Sequence, residues 1–190
     1  MGLLGPGISE VIATTRLNAA PIGIHCRGDS LSAVLFKGSH TAENVTRDGW
    51  LVANVVLDPL LFVRTAFEDL PASSFVPIPG LGWDRLSETD GYVACSVVVV
   101  RETPEALMVR LSVVREEVLV QRCLPLNRAR CAVIEATVHA TRFRRNRDPG
   151  LFRLIQHHAS VVRRCGGPGE LEALRLLELL LQDGPGQDSV

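Results

Sequence analysis

Apolar and polar positions along the first third of the chain change with a period of about two, the signature of strands with one buried face. Ile8–Arg16 (ISEVIATTR) is rich in β-branched residues, Pro21–Arg27 (PIGIHCR) alternates, and Leu31–Lys37 follows a Gly28-Asp29-Ser30 turn, which predicts three hairpin-linked strands. Leu17–Ala20 reads as a tight connection between the first two. His40–Arg47 reads as one or two helical turns ended near Asp48-Gly49, and Trp50–Val56 as a fourth strand. Asp58-Pro59 is a cap-and-first-turn pair that predicts a helix over Leu60–Phe67. Leu70–Gly91 holds Pro71, Pro77, Pro79, Gly80 and Gly82 and reads as a long irregular loop. Tyr92–Glu102 and Ala106–Arg122 are long strands separated by a reversal at Thr103-Pro104-Glu105. Six strands, mostly joined by hairpins, imply a small antiparallel barrel.

The period changes to that of helices after Pro125. Asn127 caps a helix reaching about Arg145, with Ala129, Ala132, Val133, Ala136, Ala140 and Phe143 on one face. Asp148-Pro149 opens a second, whose stripe is Leu151, Leu154, Ile155, His158 and Val161/Val162. The run Gly166-Gly167-Pro168-Gly169 ends it, Glu170–Gln182 forms a leucine-rich third helix, and Asp183–Val190 is expected to be disordered. The expected plan is a barrel over residues 1–125 and a three-helix appendage over residues 126–190, with no internal repeat.

Composition adds exclusions. The chain has 190 residues, 46% of them hydrophobic, enough for a real core. No apolar run is long enough for a membrane span, and MGLLGPGISE lacks the basic start of a secretory signal. The five cysteines have no metal-type spacing and read as free thiols of a cytoplasmic protein. Net charge is −1 but unevenly spread: residues 1–126 carry 10 basic and 14 acidic groups, residues 127–165 carry 9 arginines and 2 acids. Internal pairing of that basic stretch is favoured over nucleic acid, because RFRRNR at 142–147 offers a single aromatic for base stacking.

Candidate chemistry concentrates in VLFKGSHTAEN, residues 34–44. Lys37 is the only lysine of the chain; Gly38 permits a turn, and Ser39, His40 and Thr41 stand where a helix begins. A cation, a glycine, hydroxyls and free helix N–H groups suit a phosphate monoester; a solvated strand end is the alternative. Thr15 and Arg16 close the first strand and would meet this turn if strands one and three lie side by side. Asn18–Gly23 (NAAPIG) has small side chains past which a flat ring could reach the backbone; a plain hairpin connection is the alternative. The five histidines are read as core or surface groups, and no metal site is expected. Arg128, Glu135, His139 and Arg142 share a polar helix stripe, read as an ion-pair line. No GxSxG or phosphate-loop motif is present, and no catalytic residue stands out.

Taken jointly, IATTRLNAAPIGI, VLFKGSHTAENV, ANVVLDPLLFV and LPLNRARCAVIEATVHATR resemble the archaeal domain-of-unknown-function family 447, over about Ile8 to Leu180. The resemblance implies an FMN-binding split barrel related to flavin reductases and pyridoxamine-phosphate oxidases, followed by helices, with FMN held at a homodimer interface. By that resemblance the phosphate falls to Arg16, Lys37, Gly38, Ser39 and Thr41, with Thr15 and Asn44 adjacent, while Asn18, Ala20 and Pro21 line the ring. The implied function is a flavin-dependent oxidoreductase of unknown substrate, with a non-catalytic flavin-binding or sensor protein as the alternative.

Overall fold

The computed structural model describes residues 2–182; the tail for which disorder is expected lies outside them. The described chain forms two compact units, one of residues 2–57 and 69–122, the other of residues 58–68 and 123–182.

The first unit is a closed antiparallel barrel of six strands in the order β1-β2-β3-β8-β7-β4. Its strands are β1 (Gly7–Thr15), β2 (Asn18–Arg27), β3 (Ser30–Phe36), β4 (Trp50–Val55), β7 (Gly91–Glu102) and β8 (Ala106–Val118). Pairing of Ile12 with Asn54 and Thr14 with Val52 closes β1 onto β4. Alternating residues of these strands fill the interior: Val11, Ile24, Leu35, Leu51, Ala53, Val93, Cys95 and Val109 are buried in one cluster. Burial pushes the Cys95 thiol up to about 12, which makes it an inert core group. β8 stops at Val118, short of the expected Arg122, because the N–H groups of Leu119 and Val120 turn to the Asp90 carbonyl.

Two sequence expectations are corrected here. The segment read as an irregular loop contains a 3-10 turn (Ala72–Ser74) and a two-stranded sheet of β5 (Phe75–Pro77) and β6 (Asp84–Leu86). Strands of three residues have too little pattern to register against prolines and glycines. The β1–β2 turn is Arg16-Leu17, not Leu17–Ala20, and Asn18 already pairs with Thr15. Both turn residues have positive φ, 43° and 39°. Such two-residue hairpin turns normally take Asn-Gly, so an arginine and a leucine there cost roughly 1–2 kcal/mol each.

Helix α1 (His40–Asp48) joins β3 to β4 and packs on β1, β2 and β3 through its buried Thr41, Ala42 and Val45. Ser39 is its N-cap, with Oγ accepting from Ala42 N–H at 3.2 Å, and Gly49 ends it in the left-handed conformation at φ 68°.

The second unit is helical: α2 (Pro59–Phe67), α3 (Arg128–Asn146), α4 (Pro149–Cys165) and α5 (Pro168–Gln182). Asp58, Asn127 and Asp148 cap α2, α3 and α4 with their side chains, as the sequence predicts. The small-residue face of α3 (Ala129, Ala132, Val133, Ala136, Ala140) packs with Ile155, Ala159 and Val162 of α4, Ala173, Leu174 and Leu177 of α5, and Val63 of α2. Leu154, expected in the stripe of α4, is exposed instead. Helix α5 starts at Pro168, two residues before the expected Glu170, whose carboxylate turns back to accept from Gly167 N–H at 3.0 Å.

Candidate functional site

The hairpin end of β1–β2 and helix α1 form one hydrogen-bonded group within the barrel unit. Asn18 Nδ2 donates to Thr41 Oγ1 at 3.0 Å. Asn44 Nδ2 donates to the Thr15 carbonyl at 3.0 Å and to Thr15 Oγ1 at 3.2 Å. Thr15 and Thr41 are buried, so these amides act where water competes little. Four of the residues singled out from the sequence are thus brought together by direct bonds.

Arg16 and Lys37 are not. The expected side-by-side placement of strands one and three does not occur, because β2 lies between β1 and β3. Arg16 makes a two-point contact with Asp48, Nε to Oδ2 at 2.6 Å and a second guanidinium nitrogen to Oδ1 at 3.0 Å. Asp48 is the last residue of α1. Lys37 precedes the other end of the helix; its ammonium pairs with Glu102 at 2.5 Å and its N–H donates to the Glu105 carbonyl at 2.9 Å. A helix of nine residues, ~13 Å long, lies between the carboxylate that holds Arg16 and the backbone of Lys37.

Around the start of α1 lie a glycine turn, a capping hydroxyl and N–H groups without helical acceptors. Gly38 takes φ 78°, which turns the chain from β3 into the helix. Ser39 Oγ donates to the Phe36 carbonyl at 2.7 Å while it caps Ala42 N–H. The N–H groups of His40 and Thr41, in the first turn, have no carbonyl within the helix to bond. Helix polarity adds partial positive charge at the same point.

Beside it runs an open strand edge. β2 pairs with β1 along its whole length, but with β3 only from Ile24–Ala33 to Arg27–Ser30. Over Asn18–Gly23 the second edge has no strand partner among the described residues, so alternate N–H and C=O groups there are open to a ligand. Ala20 and Pro21 lie in this stretch, opposite Ala13 and Ile12 of β1, and proline is tolerated on an edge where no N–H is required.

Asp48 is the strongly perturbed group of this region. Hydrogen bonds from Arg47 and then Arg16 hold its carboxyl down at about 2, against an ordinary 3.8, and its charge in turn raises Arg16. A depressed folded-state value means that the carboxylate stabilises the fold above its ordinary value and that this is lost as pH falls through it toward about 2. Asp48→Asn is therefore expected to flatten the acid limb of the stability profile between ~pH 4 and ~pH 2. Thermal unfolding of both proteins across that window checks it; parallel curves would refute it.

Sequence reasoning missed Asn54, whose side chain is wholly buried and makes four contacts. Its amide donates to the Ile12 carbonyl (2.9 Å), Thr14 Oγ1 (3.1 Å) and the Val52 carbonyl (3.1 Å), and its Oδ1 accepts from Leu86 N–H (2.8 Å). A polar residue in the middle of WLVANVV was the available signal. Thr14 Oγ1 also donates to the Asp84 carbonyl at 2.6 Å, so β6 is fastened to the barrel at two points. Trp83 stacks on Trp50 with ring centres 5.5 Å apart.

In the helical unit, Glu135, His139 and His158 come together, with one potential ligand atom from each within 4.8 Å of the others. The sequence reading of the five histidines as core or surface groups takes no account of this grouping. Glu135 and His139 do stand at i, i+4 on α3, and His158 joins from α4.

The closed barrel whose first strands part beside α1 is a split barrel, the architecture of several flavin proteins. An FMN-binding protein from Thermus thermophilus shares it at 11% identity and a TM-score of 0.51, over 63% of this chain and 75% of that one, a likeness of fold alone. The chain belongs to the family described as protein of unknown function (DUF447): the family's N-terminal domain matches residues 9–120 and its C-terminal part residues 127–179. A DUF447 protein from Methanosarcina mazei, solved with FMN bound, is 38% identical with a TM-score of 0.88, over 93% of this chain and 96% of that one. An uncharacterized protein from Methanocaldococcus jannaschii is 38% identical over 66 residues, 33% of this chain. The match spans about a third of that relative's length, 34%. Among the described residues no helix is long and apolar enough to cross a membrane.

Proposed function

We propose that this protein binds FMN at the parted edge of the barrel, as a homodimer, and uses it as a flavin-dependent oxidoreductase. The observation that carries the reading is the FMN bound by the Methanosarcina mazei protein, at 38% identity across nearly the whole chain. The residues present suit the group. The first turn of α1 offers N–H donors and helix polarity to a dianionic phosphate, and Lys37 supplies a cation that would exchange Glu102 for it. The free edge of Asn18–Gly23, with Ala20 and Pro21, lets a planar heterocycle reach backbone donors and acceptors. Asn18 ties this edge to α1 and Asn44 ties the end of β1 to the same helix, so phosphate and ring sites keep a fixed spacing. Arg16 pairs with Asp48 and so ties the strained hairpin to the end of α1.

FMN supplies the redox chemistry when bound; the chain supplies position, electrostatics and exclusion of water. The dimer is supported by apolar side chains left exposed on the barrel: Val34 and Phe36 of β3, Val98 and Val100 of β7, and Met108 and Val114 of β8. The test is tag-free protein purified with its native ligand. Flavin absorbance at one FMN per chain, a dimeric mass, and oxidation of NAD(P)H or a reduced deazaflavin are expected. Colourless protein that ignores added FMN would refute the reading, and bound flavin without turnover from any donor would assign a non-catalytic flavin-binding role.

A further inference from the structure

Helices α3 and α4 form an antiparallel hairpin about the Arg147-Asp148 turn, with Arg147 in the left-handed conformation at φ 54°. His139 and His158 lie at nearly equal distances along the chain from that turn, so they face each other at one level. Their rings stack, with centres 5.5 Å apart and planes 22° off parallel. One helical turn back from His139, Glu135 brings a carboxylate to the same spot. His139 Nδ1 is buried and has no hydrogen-bond partner, a cost that a protein seldom leaves uncompensated.

We propose that Glu135, His139 and His158 bind a divalent transition metal of the zinc class, bridging α3 and α4. Two imidazoles and one carboxylate are borderline and hard donors in the mixture that Zn²⁺, Co²⁺ and Ni²⁺ accept and that Mg²⁺ and Ca²⁺ do not favour. Bonds of ~2.0–2.2 Å in a tetrahedron need ligand atoms ~3.4 Å apart. The three atoms already lie within 4.8 Å, and Glu135 is exposed and free to swing inward. Three protein ligands leave one position for water or a small anion. His157, next in sequence, exposed and outside the cluster, meets the His158 ring edge-on with ring centres 5.4 Å apart but offers no ligand atom, and is the natural control.

The experiment uses the full chain, tag-free and stripped with a chelator, titrated with Co²⁺ as a coloured probe and with Zn²⁺ by calorimetry. One Co²⁺ per chain is expected, with ligand-field bands of a four- or five-coordinate site and no thiolate charge-transfer band. His139→Ala and His158→Ala should abolish the bands and weaken Zn²⁺ at least ~10-fold, since even losing a supporting contact to a ligand costs that much. His157→Ala should change neither. Glu135→Gln, at an exposed position, removes a ligand without disturbing the core and should also weaken Zn²⁺. Zn²⁺, but not Mg²⁺, should raise the melting temperature of the parent chain. No stoichiometric binding, or binding that survives Glu135→Gln and both histidine variants, overturns the proposal.

Discussion

Ser39→Asp is expected to leave helix α1 folded and to weaken FMN by ~10–100-fold. Aspartate caps a helix as well as serine, so Ala42 N–H keeps an acceptor; the bond that Ser39 Oγ donates to the Phe36 carbonyl is lost at an exposed position, and the apoprotein's melting temperature falls only slightly. The carboxylate also suits the positive end of the helix, a gain of ~0.3–1 kcal/mol in the empty protein. When a doubly charged phosphate is brought to the same turn, the sign reverses. Like charges at ~6 Å in a half-exposed site repel by ~1.4–2.8 kcal/mol after screening, which is the stated factor. Riboflavin has no phosphate and serves as the internal standard: its affinity should not move. Fluorescence titration with both flavins measures the two numbers side by side. Equal FMN affinity in parent and variant would put the phosphate somewhere other than the start of α1.

Asn54→Leu is expected to cost ~2–4 kcal/mol, a large share of the roughly 5–15 kcal/mol that holds a domain together. Leucine fills similar space but strips the acceptor from Leu86 N–H and the donor from Ile12, Thr14 and Val52. The asparagine joins β4, β1 and β6 at once, so the loss is felt on three strands. Asn54→Asp should be worse: it keeps the acceptor for Leu86 but turns a charged oxygen toward two carbonyls and a hydroxyl. Urea unfolding midpoints rank the three proteins, and a midpoint unchanged by either substitution would sink the account.

What the sequence disclosed and what it hid follow the range of the interactions involved. Asp58-Pro59, Asn127 and Asp148-Pro149 were readable as helix starts because a cap is a contact between neighbours in the chain. The hairpins β1–β2, β2–β3 and β7–β8 were readable for the same reason. The order of strands was not: that β2 separates β1 from β3 and that β4 closes on β1 are long-range pairings with no local mark. The expected meeting of Arg16 with Lys37 failed on that point alone. Arg16 found Asp48 instead, a partner 32 residues away, which no spacing rule announces. Two of the three members of the Glu135–His139–His158 cluster were present as an i, i+4 pair, but the third came from another helix. The β5–β6 sheet was hidden by its brevity, since three residues cannot show a period.

Helix α2 sits early in the chain, yet its Val63 is buried among residues as late as Leu177. During synthesis the ribosome must add more than a hundred residues after α2 emerges before that partner exists, on the order of 5–20 s. For that interval the apolar side of α2, with Leu60, Val63 and Phe67, lacks its α5 partners and at most meets α3 once that helix is made. A chaperone that shields such a segment, or slow codons placed just after it, would alter the yield of intact protein, whereas changes near the carboxyl end would act only once the wait is over.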